Sequence, residues 1–281
     1  MQILDGKALS NKVKEEIKIE TQKLKSEGLT PGLAVVLVGE DPASQTYVNS
    51  KEKSCIAAGI YSKKITMQDD ISEEKLLNTI KELNEDNNIH GILVQLPLPK
   101  HIDTSKVLET IIPSKDVDGF HEYNVGKLVT DNQTLVPCTP LGVMRILKEY
   151  GINPTGMDAC VVGASNIVGK PMFNLLINQR ATVTMCHSRT KDLKAHTKRA
   201  DLLIVGVGIP HMITADMVKD GAIVIDVGIN RLDTGKLTGD VDYENVAPKC
   251  SFITPVPGGV GPMTIAMLLE NTLTAAKLSR K

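Results

Sequence analysis

The segment from Val161 to Pro171 carries the strongest chemical signal in the sequence. An apolar run leads into Gly163, Ala164 and Ser165, and a second glycine, Gly169, follows before a stretch of helical character. A glycine-containing turn between a strand and a helix lets backbone amides and the helix N-terminus approach a pyrophosphate. The spacing Gly-x-Ser-x-x-x-Gly departs from Gly-x-Gly-x-x-Gly, and a strand–helix turn that binds no ligand is the alternative.

The end of the next strand indicates which dinucleotide such a turn would hold. Folds that bind NAD place an acidic residue about 20 positions further on, where it holds the ribose 2′-hydroxyl. Here the corresponding stretch, from Cys186 to Thr190, contains Ser188 and Arg189 and no acid. A hydroxyl and a guanidinium suit a 2′-phosphate, which favours NADP over NAD. A solvated surface arginine is the alternative interpretation of Arg189.

Tyr47 and Lys51 stand four residues apart in a segment that begins with Asp41 and Pro42. Asp followed by Pro is typical of a helix start, so we expect Tyr47 and Lys51 to share one face of this helix. Cys55, four residues after Lys51, continues the same face. A lysine that emerges from a partly apolar face can have a lowered pKa and move protons near neutrality. The alternative is a lysine whose amine reaches water beyond an apolar stem.

Two further polar positions border apolar segments. Gln95 interrupts a buried strand near its carboxyl end, where its amide must either satisfy neighbouring backbone or bind a ligand. Asp118 lies in Lys115–Gly119, a segment whose Asp and Gly residues are also those of an ordinary surface turn.

Two loops follow strands whose carboxyl ends form the usual ligand edge of an open α/β sheet. One contains Ile229. The other runs from Pro255 to Thr264 and includes Pro257, Gly258 and Gly259. Its glycines and prolines predict a rigid ribbon whose backbone can approach a flat ring, with a sharp linker into the last helix as the alternative.

Alternating helix and strand patterns predict an α/β protein of two doubly wound domains. In the first half we expect helices at 8–25, 42–59, 72–86 and 103–111, and strands at 33–38, 60–66 and 91–96. In the second half we expect helices at 139–150 and 262–277, and strands at 158–162, 181–186, 202–205, 222–227 and 251–254. Residues 112–140 lose this periodicity.

The predicted boundaries place residues 1–138 in an N-terminal domain and residues 139–261 in a Rossmann-like dinucleotide-binding domain. The last helix, within residues 262–281, has an apolar face that includes Ile265 and Leu268. We expect it to return to the N-terminal domain, which predicts a two-part connection around an active-site cleft.

Composition excludes several classes of function. With 32 basic and 33 acidic residues, the net charge of −1 offers no surplus to neutralise nucleic acid. No apolar run reaches the ~20 residues that cross a bilayer, and the N-terminus lacks a signal-peptide pattern, which predicts a cytoplasmic protein. The five cysteines form no Cys-x-x-Cys pair and the histidines lack metal-ligand spacing, so we expect free thiols and no metal.

Six segments, in order along nearly the whole chain, resemble the bifunctional methylenetetrahydrofolate dehydrogenase/methenyltetrahydrofolate cyclohydrolase family. Any one of them is a weak signal, but six in register are specific. They are Tyr47–Lys51, Gly91–Pro99, Lys115–Gly119, Val136–Pro140, Gly163–Pro171 and Pro255–Thr264. The resemblance implies NADP-dependent oxidation of 5,10-methylenetetrahydrofolate, hydrolysis of the methenyl product to 10-formyltetrahydrofolate, and a homodimer.

The resemblance also implies roles for individual residues. Lys51 would be the general acid/base of hydrolysis, Tyr47 would pack against the folate, and Gln95 would bond near the reacting carbon. Asp118 would hold the pterin edge, and the loop from Pro257 through Gly259 would meet the folate and nicotinamide. The residues implied to contact the dinucleotide are Gly163, Ala164, Ser165, Ser188 and Ile229.

One position departs from many members of the family, which carry Arg where this chain has Ala164. Arg189 and Ser188 would then carry more of the 2′-phosphate binding, and NAD is the alternative cofactor. The alternative functions are an NADP-dependent dehydrogenase of another small metabolite and a non-catalytic protein that binds NADPH or folate.

Overall fold

The computed structural model describes residues 1–280, which fall into two compact units. A three-stranded unit comprises Asn11–Cys138 and the described residues from Ile265 onward, and a six-stranded unit comprises Met1–Ser10 and Thr139–Thr264. The predicted boundary had placed residues 1–138 together. The difference at the N-terminus arises because β1 (Gln2–Ile3) pairs in parallel with β11 (Phe252–Ile253).

The three-stranded unit is built on a parallel sheet of order β3-β2-β4. Its strands are β2 (Gly32–Val38), β3 (Tyr61–Met67) and β4 (Gly91–Val94). Its helices are most of α1 (Gly6–Ser26), α2 (Pro42–Ala57), α3 (Glu73–Glu85), α4 (Thr104–Thr110), α5 (Glu122–Val129) and most of α10 (Val260–Leu278). All seven residues of β2 are buried, as expected for the central strand of a parallel sheet covered on both faces.

Side-chain caps begin several of these helices, among them the one predicted at Asp41. The Asp41 carboxylate accepts the amide of Ser44 at 2.7 Å, with Pro42 as the first helical residue of α2. Ser72 caps α3 by accepting from the amide of Lys75, and Asp103 caps α4. The helices predicted at 42–59, 72–86 and 103–111 are therefore confirmed, with ends that differ by one or two residues.

The six-stranded unit holds a parallel sheet of order β1-β11-β8-β7-β5-β6. Its other strands are β5 (Asp158–Val162), β6 (Thr182–Cys186), β7 (Leu202–Val205) and β8 (Ile223–Asp226), and a separate hairpin pairs β9 (Asn230–Arg231) with β10 (Leu237–Thr238). Its helices are α6 (Cys138–Glu149), α7 (Gly169–Asn178), α8 (Leu193–Thr197) and α9 (Tyr243–Val246), with short 3₁₀ turns at Ala215–Met217 and Ala247–Lys249. Aliphatic residues of β5, β7 and β8 form its core.

Several elements differ from the sequence prediction. β4 ends at Val94 rather than at residue 96, although the amide of Gln95 still donates to the carbonyl of Val36. Helix α5 occupies part of the stretch predicted to be irregular, because His121 caps it by accepting the amide of Tyr123 at 3.0 Å. The β9–β10 hairpin was not predicted, since each strand has two residues and too few for a period-2 pattern.

Across residues 1–280, no helix is both long and apolar enough to cross a membrane. In the same range, no cluster of three His, Cys, Asp or Glu side chains is arranged to hold a metal ion.

Candidate active site

Helix α2 and strand β4 bring Lys51 and Gln95 together in the three-stranded unit. The Lys51 amine donates a hydrogen bond of 2.8 Å to Oε1 of Gln95. The Gln95 amide nitrogen donates to the carbonyl oxygen of Leu96 at 2.7 Å, which fixes the direction of its side chain. Gln95 therefore satisfies neighbouring backbone and binds a functional side chain at once, and the amine keeps further N–H groups for a ligand.

The face of α2 that carries Lys51 changes from buried to open along the helix. Cys55 is fully buried at one end, whereas Tyr47, one turn before Lys51, is 45% exposed. Burial raises the pKa of the Cys55 thiol to about 12, so this cysteine is an apolar packing residue rather than a nucleophile. The half-buried Lys51 lies between the apolar end and the open aromatic ring.

Asp118 lies near the Lys51 amine and is the titratable carboxyl of this cluster. Burial raises the pKa of Asp118 to about 6, with the positive charge of Lys51 opposing the rise and the negative charge of Asp116 adding to it. The Asp116 carboxylate has a structural role: it accepts hydrogen bonds from the backbone amides of Gly119 and His121 and from the side-chain amide of Asn124. The two carboxylates of this segment therefore have different surroundings, and only Asp118 is partly exposed.

Two residues to which the sequence analysis assigned no role, Cys138 and Asn271, hold the backbone next to Asp118. The Cys138 thiol donates to the carbonyl of Val117 at 3.3 Å and lies 3.9 Å from Oδ1 of Asp118. Asn271, buried in α10, donates to the carbonyls of Val117 and Val136 at 2.8 and 2.9 Å. The available signal for Asn271 was its place one helical turn from Met267, Leu268 and Ala275, since an amide on an apolar helix face needs partners.

The turn between β5 and α7 in the six-stranded unit leaves no room for side chains at its two glycines. Gly163 has a φ of +118°, and a Cβ there would overlap the carbonyl oxygen of Gly206. A Cβ at Gly169 would overlap the carbonyl oxygen of Gly163. The Ser165 hydroxyl accepts the amides of Val168 at 3.2 Å and Gly169 at 3.4 Å, which caps the start of α7. This compact turn leaves its backbone accessible, as close binding of a pyrophosphate requires.

The remaining predicted residues of this unit follow the carboxyl ends of neighbouring parallel strands. Ser188 and Arg189 are exposed in a turn after β6, where Thr190 accepts the amide of His187 at 2.8 Å. Ile229, three residues after the end of β8, is 44% exposed. Because parallel strands end at one edge of the sheet, these residues share that edge with the Gly163 turn.

The loop from Pro257 through Gly259 follows β11 at the same edge. The amide of Lys7 donates to the carbonyl of Gly258 at 2.8 Å, and a Cβ at Gly6 would overlap the carbonyl oxygen of Gly259. This close packing makes the loop part of the six-stranded unit, whereas Tyr47, Lys51, Gln95 and Asp118 belong to the three-stranded unit.

Comparison with known proteins accounts for both groups of residues. The family model described as tetrahydrofolate dehydrogenase/cyclohydrolase, catalytic domain, matches residues 4–118. The model for the NAD(P)-binding domain of the same family matches residues 137–280. The chain belongs to the tetrahydrofolate dehydrogenase/cyclohydrolase family. The catalytic-domain match contains the Lys51, Gln95 and Asp118 cluster, and the NAD(P)-binding match contains the glycine turn.

Relatives extend this similarity over the whole chain. The bifunctional protein FolD of Nautilia profundicola is 66% identical over 277 residues, which are 99% of this chain and 98% of that protein. The crystal structure of the bifunctional FolD methylenetetrahydrofolate dehydrogenase/cyclohydrolase from Campylobacter jejuni is 57% identical, with a TM-score of 0.98 and 99% of each chain covered. The Trypanosoma brucei enzyme, complexed with NADP cofactor and inhibitor, is 37% identical with a TM-score of 0.95, covering 99% of this chain and 98% of that one.

These matches confirm the predicted family, the α/β fold of two domains and the bifunctional dehydrogenase and cyclohydrolase activity. The predicted cofactor, NADP, agrees with the NAD(P)-binding domain of the family and with the cofactor in the trypanosomal relative. The enzyme acts on a folate substrate.

Proposed function

We propose that Lys51 and Gln95 carry the hydrolytic half of a two-step folate reaction. In the first step, 5,10-methylenetetrahydrofolate is oxidised to 5,10-methenyltetrahydrofolate with NADP. In the second, the methenyl compound is hydrolysed to 10-formyltetrahydrofolate, a one-carbon donor. The observation that carries the residue assignment is the 2.8 Å hydrogen bond from the Lys51 amine to Gln95, beside the carboxyl of Asp118.

Hydrolysis requires proton movement at one carbon. A water molecule adds to the carbon between N5 and N10, loses a proton, and the bond from this carbon to N5 breaks as N5 gains a proton. An amine near that carbon can accept the proton from water and return it to N5 as a general base and then a general acid. The bond to Gln95 uses one N–H group and holds the Lys51 amine in place, so that the nitrogen lone pair can accept the proton from water and the N–H formed can return it to N5.

Tyr47 and Asp118 position the folate for both steps. The partly exposed ring of Tyr47 lies one helical turn from Lys51 and offers an apolar face to the flat pterin. The Asp118 carboxylate, when ionised, accepts hydrogen bonds from the N–H groups at the pterin edge. Hydride transfer depends on the alignment of two rings more than on a strong base, so these contacts serve oxidation as well.

The NAD(P)-binding residues fit a dinucleotide because the glycines at 163 and 169 keep the turn compact and its backbone accessible. When bound, NADP supplies the hydride acceptor for oxidation of the methylene carbon. Gly163, Ala164 and Ser165 would hold the pyrophosphate from the turn. Ser188 and Arg189 would bind the 2′-phosphate, and Ile229 would contact the nicotinamide end. Pro257, Gly258 and Gly259 would contact the folate from the neighbouring strand end.

A two-wavelength spectrophotometric assay tests this function. With methylenetetrahydrofolate and NADP, the enzyme should produce NADPH, and the absorbance of the methenyl intermediate should decay faster than the spontaneous reaction. Replacing NADP with NAD should slow oxidation. Oxidation of an unrelated small alcohol with NADP, and no reaction with the folate, would contradict the proposal.

We further propose a homodimer that works in the cytoplasm. Strand β3 is at the edge of its sheet, with exposed Tyr61 at its start and exposed Ile56 on the preceding helix, and an open edge can pair with a second copy. All five cysteines are buried and free, which suits a reducing compartment. Light scattering coupled to size-exclusion chromatography should give twice the 30.4 kDa chain mass, and a monomer at micromolar concentration would contradict the assembly.

A further inference from the structure

A fully buried carboxylate in the six-stranded unit binds the loop that follows β7. One oxygen of Asp240 accepts two consecutive backbone amides, those of Val207 at 2.6 Å and Gly208 at 3.0 Å. Its other oxygen accepts the side-chain amide of Asn230 at 2.8 Å. Asp240 has no exposed surface, so removal of its carboxylate would leave these donors without their acceptor inside the protein.

A second carboxylate holds Asp240 itself. One oxygen of Asp226, the last residue of β8, accepts the amides of Gly228 at 3.0 Å and Asp240 at 3.1 Å, and the other accepts that of Val241 at 2.9 Å. A Cβ at Gly239 would overlap the Asp226 carboxylate, so this approach requires glycine. The two carboxylates therefore tie together three loops, at residues 206–208, 226–230 and 239–241.

One of these loops, at residues 206–208, lies against the dinucleotide turn. The amide of Gly206 donates to the carbonyl of Val162 at 2.9 Å, and the Gly206 carbonyl oxygen is the atom that a Cβ at Gly163 would overlap. Because a peptide group is planar and trans, pointing the amide of Val207 toward Asp240 directs the carbonyl of Gly206 the opposite way. Asp240 thus fixes the peptide that packs against Gly163.

The same pair of carboxylates holds the residues on both sides of Ile229. Gly228 is held by Asp226 through its amide, and Asn230 is held by Asp240 through its side chain. A Cβ at Gly228 would overlap Asp240, so the segment passes directly over the carboxylate. Asp226 and Asp240 therefore fix the position of Ile229 at the ligand edge of the sheet through its two neighbours in the chain.

We propose that Asp240 is a positioning residue for NADP: it orders the 206–208 loop, which packs against the dinucleotide turn, and the 228–230 loop at the same edge of the sheet, without contacting the cofactor. This inference rests on the proposed placement of NADP at the Gly163 turn. It assigns Asp240 to the dehydrogenase activity alone, because Lys51 and the hydrolytic residues belong to the other unit.

The test compares Asp240→Ala and Asp240→Asn with the wild type, and uses Asp242→Ala as the matched control. Asp242 is two residues away and bonds to the exposed side chain of Asn245 at 2.7 Å, so its loss leaves the 206–208 loop intact. Three measurements are made on the full chain: calorimetric binding of NADP, hydrolysis of methenyltetrahydrofolate without dinucleotide, and thermal unfolding.

Asp240→Ala should weaken NADP binding about 10-fold or more, since the cofactor would then have to order a loop that a charge-assisted bond holds in the wild type. Asp240→Asn keeps one carbonyl oxygen for the two amides, so NADP binding should weaken less in this variant, by about 3- to 10-fold. Hydrolysis should stay within about twofold of wild type in both variants, and Asp242→Ala should match wild type in all three measurements.

Several results would overturn the inference. A folded Asp240→Ala variant that binds NADP as wild type does would refute it, as would a folded variant that loses NADP binding and hydrolysis equally. If Asp240→Ala does not fold, Asp240→Asn decides: wild-type NADP binding in that variant refutes the inference. Failure of the wild-type chain to bind NADP would instead refute the proposed cofactor.

Discussion

Replacing Asp118 with Asn should change how stability depends on pH. The carboxyl pKa rises from an ordinary 3.8 to about 6, mainly because burial disfavours its charged form. Since each pKa unit corresponds to 1.36 kcal/mol, the rise of about 2 units amounts to about 3 kcal/mol. Asp118 is partly exposed, so solvent screening reduces this to about 1–3 kcal/mol.

The sign follows from the direction of the shift. Between pH 3.8 and about 6 the unfolded carboxyl has lost its proton while the folded one retains it, so the contribution of Asp118 to stability falls as pH rises through this range and is constant above it. Asp118→Asn has no such titration. Its free energy of unfolding relative to wild type should therefore increase by about 1 kcal/mol from pH 5 to pH 8.

Urea unfolding, followed by circular dichroism at pH 5, 6, 7 and 8, measures this difference. The comparison across pH cancels any constant effect of the lost contact with Cys138. In the wild type, the KM for the folate should also rise as pH falls below about 6, because the protonated carboxyl loses acceptor capacity for the pterin edge. A difference in stability that is the same at pH 5 and pH 8 would refute the assignment of a raised pKa.

Two further predictions concern the NAD(P)-binding residues. Gly163→Ala should weaken NADP binding at least about 10-fold and spare hydrolysis, since the added Cβ would overlap Gly206 at a φ of +118°; calorimetry with NADP measures it, and unchanged affinity would contradict the fit. Arg189→Ala should raise the KM for NADP about 10- to 150-fold and leave that for NAD unchanged. Equal losses for both cofactors would show that Arg189 does not bind the 2′-phosphate.

Local sequence patterns were sufficient to predict most elements of both sheets. The apolar run of β2 is buried along its whole length, and Asp41 caps its helix as its position before Pro42 suggested. The two glycines of the dinucleotide turn, at 163 and 169, are required because backbone atoms occupy the space that their side chains would fill. For the helix cap and for Gly169 the controlling interaction lies within a few residues along the chain, and for β2 it lies in the strand pattern; for Gly163 the strand–turn–helix pattern was the signal, although the atom that excludes a side chain belongs to Gly206.

Interactions between distant segments could not be predicted in the same way. Strand β1 has only two residues, and it is a strand because it pairs with β11, about 250 positions away along the chain. In the sequence, Asp226 and Asp240 look like ordinary acidic residues. Their hydrogen bonds could not be predicted, because the amides that donate to them lie in loops that only the folded sheet brings together. An acid at the end of an apolar strand was the one local signal for Asp226, since a buried carboxylate needs donors.

The roles of Lys51 and Gln95 came from the family resemblance together with helix spacing, and the geometry adds the bond between them. From spacing alone, a lysine that reaches water was the favoured interpretation. The Gln95 amide, held by the Leu96 carbonyl, distinguishes this lysine from one that reaches only solvent.

The most direct test of the account is the substitution Lys51→Met, which keeps the apolar stem and removes the amine. Hydrolysis of methenyltetrahydrofolate should fall by about 10²–10⁴, the usual contribution of a positioned acid or base, while oxidation with NADP falls much less. NADPH formation and methenyl decay are measured together, with the spontaneous decay subtracted. Accumulation of the methenyl compound is the predicted result, and hydrolysis at the wild-type rate would contradict the assignment of Lys51 as the residue that moves the proton.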